Sequence, residues 1–386
     1  MRRPVRMKSL FFALCFNALI LLQWASNSLA QESRFQKLGV TLDPWSERQV
    51  LFWKKVYTEY ASDEYLIHDS MNLSRIYSSV KGESKAAAEK KRIQSLLNSI
   101  ANKATPKITG ENLSADERPV FEVMDAIEDK RAYAFAAESS RIRVQTGQKD
   151  HLESAFIISR HYIKRMQEMF EEEGVPKELA LLPFVESAFN HEARSSVGAS
   201  GIWQFMPKTA SRDLRVSAAI DERYDPLKAT RAAARFLRRN HDLLKNWSLA
   251  VMAYHHGPGM VQRALRSLKT KDPIQMIRIF KDPSYKFASR NYLFEFLAMC
   301  DVNAEQASFF KKAETVELPP FITVSFPKRL PIQKVLAHYH LNEELTRVLN
   351  PHFREPIWKN ATPIPSHYPI RLSGITLEEF RKLEYP

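Results

Sequence analysis

Residues 181–207 read LLPFVESAFNHEARSSVGASGIWQFMP, and the predictions for both fold and site start from this stretch. The chain of 386 residues contains only ten glycines, well below the roughly 7% of average usage, so a mainly helical fold is favoured. Gly198 and Gly201 both lie in this stretch. Glycine is placed where a backbone turns sharply or something approaches it closely, so the stretch predicts a tight loop after a short apolar segment.

Glu186 is the acidic residue of that apolar segment, LLPFVESAF. A carboxyl group among apolar side chains resists ionisation, because desolvation disfavours the charged form and raises its pKa. Such a group keeps a proton near neutral pH and can protonate a leaving oxygen. The alternative interpretation of Glu186 alone is a helix-surface residue paired with a lysine or arginine.

Helices are predicted on both sides of this stretch from apolar spacing, capping residues and helix-ending glycines. They cover residues 151–173, 179–189, 226–243, 249–255 and 288–310.

Four segments together resemble a known family. Glu186-Ser187, VGASGIWQFMP at 197–207, AYHHG at 253–257 and SRNY at 289–292 are similar to the ordered motifs of lytic transglycosylases of the lysozyme-like superfamily. The resemblance is to the membrane-bound lytic murein transglycosylase D-like family, which has an SLT domain, and it covers about residues 150–310.

The resemblance implies a peptidoglycan lytic transglycosylase that cleaves the β-1,4 bond between N-acetylmuramic acid (MurNAc) and N-acetylglucosamine (GlcNAc) without water. Glu186 matches the single catalytic acid/base, which protonates the leaving oxygen and then deprotonates the muramoyl 6-hydroxyl to give a 1,6-anhydro end. Assistance by the substrate's acetamido group would replace a protein nucleophile. No cofactor and no metal are expected.

The same matching assigns eight residues to the sugar-binding site: Ser187, Ser195, Gly201, Gln204, Met206, Tyr254, His255 and Tyr292. Tyr292 is expected to bond near Glu186, Gly201 is expected as a backbone requirement, and Tyr254 and Met206 have the alternative of being core residues. His255 stands where the family usually has asparagine. A metal role for His255-His256 is disfavoured, because adjacent side chains on a helix point in different directions.

The predicted fold class is mainly α, in four segments. Residues 1–30 predict a signal peptide, because they have a basic start, an apolar run and a closing Ser-Leu-Ala. Residues 31–150 predict an α-helical N-terminal accessory region. Its aromatic stripe consists of Trp53, Tyr57, Tyr60 and Tyr65. Residues 151–315 predict the lysozyme-like catalytic domain. Residues 316–386, which hold ten of the 21 prolines, predict a small α+β module similar to LysM.

The formal net charge is +13, and removal of residues 1–30 would take away four basic and no acidic residues. For an exported protein this basic surplus favours an anionic wall or lipid surface over nucleic acid. We therefore expect a periplasmic monomer that binds peptidoglycan strands, does not bind nucleic acid, and associates peripherally with the outer membrane or cell wall.

Three alternatives remain open from the sequence. A muramidase-type hydrolase on the same fold would need a second carboxylate to position water, for which Asp213, Asp221 and Asp225 are available. A catalytically impaired peptidoglycan-binding scaffold is motivated by His255. A basic protein could also bind anionic polymers through charge alone, with steep salt dependence.

Overall fold

The structure, a computed structural model, describes residues 35–310 and 319–382. The predicted signal peptide at 1–30 lies outside the described residues.

The N-terminal region is α+β, so the prediction of an all-helical accessory region was wrong. It contains α1 (Pro44–Thr58), β1 (Glu64–Asp69), β2 (Ile76–Lys81), α2 (Glu83–Ala101), α3 (Glu117–Val123), α4 (Lys130–Ala136) and β3 (Ile142–Thr146). The three strands form an antiparallel sheet in the order β2-β1-β3, in which Ile67 lies opposite Ser78 and Val144.

Strand β1 is buried on both faces, so its sequence does not show the alternation of apolar and polar residues that would predict a strand. Leu66 packs into the main core and Ile67 into a smaller core of the accessory region. Trp53 and Tyr57 are buried on α1 as the aromatic stripe predicts, whereas Tyr65 lies on β1.

The region predicted to be the catalytic domain, called the catalytic region below, is helical, as predicted. Its elements are α5 (Lys149–Ser159), α6 (Ile163–Glu172), α7 (Leu182–Ser187), α8 (Pro207–Ala210), α9 (Pro226–Leu244), α10 (Trp247–His256), α11 (Pro258–Leu268), α12 (Pro273–Ile279), α13 (Phe287–Ala304) and α14 (Gln306–Phe309). Asp225 caps α9 by accepting bonds from the amides of Leu227 and Lys228, and Asn246 caps α10.

Two helix predictions need correction. The single helix predicted over 151–173 is broken between α5 and α6, where Ser159 Oγ donates to the Phe156 carbonyl (3.1 Å) and competes with regular helix bonding. The helix predicted over 179–189 begins as a 3-10 turn, Lys177–Leu181, and ends at Ser187.

The main core joins the catalytic region to the first residues that the structure describes. Phe35, Trp53, Trp203, Phe294 and Cys300 all belong to one buried cluster. Burial of a large apolar side chain contributes about 2–3 kcal/mol, so α1 is a structural part of the catalytic core. The predicted division at residue 150 stays a prediction.

The C-terminal module has a β-α-α-α-β order followed by one more helix. It contains β4 (Phe321–Val324), α15 (Ile332–His338), α16 (Glu343–Leu349), α17 (Glu355–Trp358), β5 (Ile370–Ser373) and α18 (Leu377–Lys382). Strands β4 and β5 pair antiparallel, with Ile322 opposite Leu372. The module has its own core, to which Ile220 of the catalytic region also belongs.

Candidate active site

Glu186 lies near the end of α7, a short helix fixed by burial of Leu182, Pro183 and Phe184. The helix stops because Ala188 and Phe189 adopt left-handed backbone conformations, with φ of 48° and 57°. Non-glycine residues with positive φ are uncommon and mark local constraint. Glu186 is therefore held at a sharp turn between a buried helix and the following loop.

The carboxyl group of Glu186 is set up to keep its proton. The side chain is half-buried, and loss of water around it raises its pKa to about 7, although the bond from Tyr292 opposes this shift. The Tyr292 hydroxyl donates to Glu186 Oε1. Glu186 is thus a partly accessible acid whose protonated and charged forms are both well populated near neutral pH.

Tyr292 reaches Glu186 from α13 and is itself buried. Its neighbour Asn291 accepts a bond from Trp53 Nε1 (3.1 Å) and donates to the Phe287 carbonyl (2.9 Å). Burial and the nearby Glu186 carboxyl raise the pKa of Tyr292 well above its usual value. Tyr292 therefore stays a hydroxyl donor and does not become a competing base.

Helix α10 brings Tyr254 and His255 to the same place. The Tyr254 hydroxyl donates to the Trp203 carbonyl (2.8 Å). Burial, with a smaller effect of the Glu186 charge, raises the pKa of Tyr254 well above its usual value. The His255 ring stacks on Tyr292 with centroids 4.4 Å apart. Desolvation, with a smaller effect of His256, lowers the pKa of His255, so the imidazole adds no charge at neutral pH.

The loop of residues 190–206 forms the next part of the site. Ser187 Oγ donates to the Ile202 carbonyl (3.0 Å), which fixes the loop beside Glu186. Gln204, with φ of 47°, donates to the Gly201 carbonyl (2.9 Å). Gly201 has φ of +74°, and a Cβ there would lie 1.9 Å from the Arg223 carbonyl oxygen, so glycine is a backbone requirement here.

The remaining two predicted residues also lie on the 190–206 loop. Ser195 Oγ accepts from the Ala199 amide (2.9 Å) and closes a turn within the loop. Met206 is 40% exposed immediately before α8, which excludes the alternative that it is a core residue. Direct contacts thus join Glu186, Tyr292 and His255, while Ser187 and Tyr254 tie the loop to them.

Glu295 is a site residue that the sequence analysis missed. It is half-buried one helical turn after Tyr292, and burial together with the Glu186 charge raises its pKa to about 8. Among the described residues, no lysine, arginine or histidine is within ion-pairing distance of Glu295. Its i+3 spacing from Tyr292 on α13 is the one signal that could have found it.

The three aspartates considered as a second carboxylate are engaged elsewhere. Asp213 pairs with Arg239 (2.7 Å), and Asp221 pairs with Arg223 (2.7 Å). Asp225 is fully buried and accepts from Arg371 (2.8 Å). These ion pairs occupy all three carboxylates.

Residues 35–310 and 319–382 contain no cluster of three or more histidine, cysteine, aspartate or glutamate side chains that could hold a metal ion. His256 Nδ1 lies 2.9 Å from Ser289 Oγ, so this imidazole joins the end of α10 to the start of α13. In the same described ranges, no helix has the length and apolar character needed to cross a bilayer.

Two cavities lie away from Glu186. One of about 710 Å³ is lined by Thr109, Arg118 and Phe121 of the accessory region, and one of about 380 Å³ lies beside α9. Neither cavity is lined by Glu186, Tyr292 or His255.

Comparison with known protein families finds a match in the region that contains Glu186. Residues 162–277 match the family model described as "Transglycosylase SLT domain". The match confirms the resemblance seen in the sequence. It contains Glu186, the 190–206 loop, Tyr254 and His255, whereas Tyr292 and Glu295 lie beyond it.

Curated relatives match over part of their length. Membrane-bound lytic murein transglycosylase D of Escherichia coli is 33% identical over 140 residues, which are 35% of this chain and 31% of that protein. A putative tributyltin chloride resistance protein of Alteromonas sp. is 39% identical over 103 residues, or 26% of this chain and 50% of the relative. The chain thus spans 31% and 50% of the length of these two relatives.

Among solved structures, the 70 kDa soluble lytic transglycosylase of Escherichia coli aligns with a TM-score of 0.32 at 17% identity, covering 57% of this chain and 44% of that one.

Proposed function

We propose that this chain is a peptidoglycan lytic transglycosylase that cleaves the MurNAc–GlcNAc β-1,4 bond and leaves 1,6-anhydro-MurNAc ends. The observation that carries the proposal is the protonated, partly accessible Glu186, whose pKa is raised to about 7 and whose Oε1 accepts from Tyr292. The SLT-domain match over residues 162–277 supports it.

The reaction needs one acid that later acts as a base. Glu186 gives its proton to the glycosidic oxygen, and the bond from that oxygen to the MurNAc anomeric carbon breaks. The substrate's acetamido oxygen stabilises the carbon, the Glu186 carboxylate takes the proton of the 6-hydroxyl, and the 6-oxygen bonds to the anomeric carbon. Water is not consumed, and Glu186 recovers its proton.

Tyr292 serves both half-reactions. Its hydroxyl donates to Glu186 Oε1, and a hydrogen bond to a carboxylate stabilises the charged form. It therefore favours proton release without preventing proton retention, since burial still keeps the pKa of Glu186 at about 7.

The remaining predicted residues are proposed to bind the glycan. Gln204 and Met206 lie on the 190–206 loop, and His255 covers Tyr292. Ser187, Ser195, Gly201 and Tyr254 hold the loop in shape through the bonds and close approach described above.

A hydrolase on the same fold is less well supported. Asp213, Asp221 and Asp225 are all ion-paired. Burial and the Glu186 charge raise the pKa of Glu295 to about 8, which favours its protonated form at neutral pH. A protonated carboxyl group cannot take a proton from water, so Glu295 is a poor candidate for the second base that hydrolysis requires.

An impaired scaffold is also less well supported, because His255 leaves the contact between Glu186 and Tyr292 intact and carries no charge at neutral pH. We further propose that the chain is exported to the periplasm and acts as a monomer. Its net charge of +13, which becomes +9 when residues 1–30 with their four basic residues are removed, supports peripheral association with anionic wall or membrane surfaces.

Digestion of purified peptidoglycan sacculi in ¹⁸O-labelled water tests the proposed reaction. Mass spectrometry should find anhydro-ended fragments without the label. Reducing muramic acid ends that carry ¹⁸O would show hydrolysis instead and would refute the lyase. Binding without any new ends would support the scaffold.

A further inference from the structure

The 190–206 loop is held from its far side by one arginine. Arg223 is buried and donates through Nη1 to the carbonyls of Gly198 (2.8 Å) and Phe205 (2.9 Å). These two carbonyls enclose the segment that carries Gly201 and Gln204. The backbone of Arg223 also packs directly against Gly201, where a Cβ would collide with its carbonyl oxygen.

Asp221 sets the orientation of Arg223. It accepts Arg223 Nε on Oδ1 (2.9 Å) and Nη2 on Oδ2 (2.7 Å). A bidentate pair fixes the plane of the guanidinium group, so Nη1 points to the loop carbonyls. The conformation of the 190–206 loop therefore depends on the position of the backbone of residues 219–225.

The C-terminal module holds that backbone at both ends. The Asp221 amide donates to the His352 carbonyl (2.8 Å), and the Arg354 amide donates to the Ala219 carbonyl (3.0 Å). At the other end, Arg371 pairs with the fully buried Asp225 (2.8 Å).

Two side-chain contacts complete this attachment. Tyr368 donates to Glu222 Oε1 (2.6 Å), and Arg354 lies over the Tyr224 ring at 4.0 Å. Ile220 adds an apolar contact within the module's own core. Every residue of the stretch from Ala219 to Asp225 except Arg223 thus touches the module, and Arg223 touches the loop.

We propose that the C-terminal module is a brace for the 190–206 loop, which it positions through residues 219–225 and Arg223. Arg223, Arg371 and Tyr368 are positioning residues in this proposal. It rests on the proposed function only in treating the loop as glycan-binding. The function assigned to the module is support of the catalytic site, in place of independent glycan capture.

Arg371→Gln and Tyr368→Phe test the brace in the full chain. Arg371→Gln should raise the KM for a soluble peptidoglycan oligosaccharide about tenfold and change kcat less than about threefold, because the loop binds substrate without taking part in bond cleavage. Tyr368→Phe removes one hydroxyl and should act in the same direction with a smaller effect. Arg347→Gln is the matched control, since Arg347 pairs only within the module, with Glu343 and Glu355.

Limited trypsin digestion gives a readout that needs no turnover. Arg194 is exposed on the loop, and cleavage after Arg194 should be faster in Arg371→Gln and Tyr368→Phe than in the wild type and Arg347→Gln. This measurement separates the brace from the proposed function, because it applies even if the wild type cleaves no glycan.

Two results would overturn the brace. One is an unchanged KM together with unchanged cleavage after Arg194 in folded Tyr368→Phe and Arg371→Gln. The other is weaker retention on insoluble peptidoglycan with unchanged kinetics on soluble oligosaccharide, which would identify the module as a separate glycan-binding unit. If Arg371→Gln does not fold, Tyr368→Phe decides alone.

Discussion

Burial raises the pKa of Glu186 to about 7 and, together with the Glu186 charge, that of Glu295 to about 8, so the protonated form of each is favoured at mildly acidic pH. The two carboxyl groups lie on different helices, α7 and α13, and the Tyr292 hydroxyl donates to Glu186.

The rate of glycan cleavage should depend on the protonated form of Glu186. Since burial raises the pKa of Glu186 to about 7, kcat/KM should be constant at acid pH and fall about tenfold per pH unit above that value. Steady-state kinetics from mildly acidic to alkaline pH measure this. If kcat/KM began to fall at about pH 4.3, the ordinary pKa of glutamate, the result would contradict this prediction.

Glu295 should tune Glu186 through charge. A positive charge from Glu295→Lys should lower the pKa of Glu186 and move the alkaline limb of kcat/KM down by about one pH unit or more. Glu295→Gln resembles the protonated acid that is present at neutral pH, so it should leave the limb in place. A limb that stays unmoved in Glu295→Lys would show that position 295 is not coupled to Glu186.

At the residue level, the apolar segment around Glu186 made it a candidate acid, and the family resemblance turned that candidate into the predicted acid/base. Sequence reasoning could not predict Glu295, since 109 positions separate it from Glu186 and only the packing of α13 on α7 brings the two together. Tyr292 is also far from Glu186 in the sequence, so its contact with Glu186 was predicted from the family resemblance alone.

At the level of elements, capping chemistry gave reliable helix starts. Helix α9 begins at Pro226 after its cap Asp225, as predicted, and α10 begins at Trp247 after its cap Asn246, two residues before the predicted start at 249. The sheet was missed because β1 is buried on both faces and its neighbours are only five or six residues long. The break between α5 and α6 depends on one serine hydroxyl, which has no periodic signature.

Gly201→Ala should disturb the 190–206 loop more than Gly198→Ala. Both glycines have positive φ, but a Cβ at Gly201 would lie 1.9 Å from the Arg223 carbonyl, whereas a Cβ at Gly198 meets nothing within 4 Å. We expect Gly201→Ala to lower the free energy of unfolding by about 3 kcal/mol and Gly198→Ala by about 1 kcal/mol. Urea unfolding measures both, and equal losses would contradict the close approach at Gly201.

At the scale of the whole molecule, the module and the catalytic region are joined through buried charge. Asp225 caps α9, accepts a bond from Arg371 Nη2 on Oδ1 (3.1 Å), and has His352 Nδ1 2.9 Å from Oδ2. These partners outweigh the desolvation that would raise its pKa, and they hold the pKa of Asp225 well below its usual range.

Asp225→Asn should destabilise the chain by about 3 kcal/mol at neutral pH, because it leaves the partly buried Arg371 guanidinium without its anion. A lowered pKa contributes stability that is complete above the ordinary aspartate pKa and is lost progressively as the pH falls from that value towards the lowered one. Urea unfolding of wild type and Asp225→Asn should therefore show the full difference at about pH 7 and a smaller difference at about pH 3. A difference that is the same at both pH values would contradict the ion-pair account.

The most direct test of the central claim is product formation by Glu186→Gln on purified peptidoglycan, with the wild type assayed beside it. The variant keeps an acceptor for the Tyr292 hydroxyl but has no proton to give, so anhydro-ended products should fall by about a thousandfold, while binding to peptidoglycan is retained. Anhydro ends formed by folded Glu186→Gln within about tenfold of the wild-type rate would show that the acid of this site is another residue.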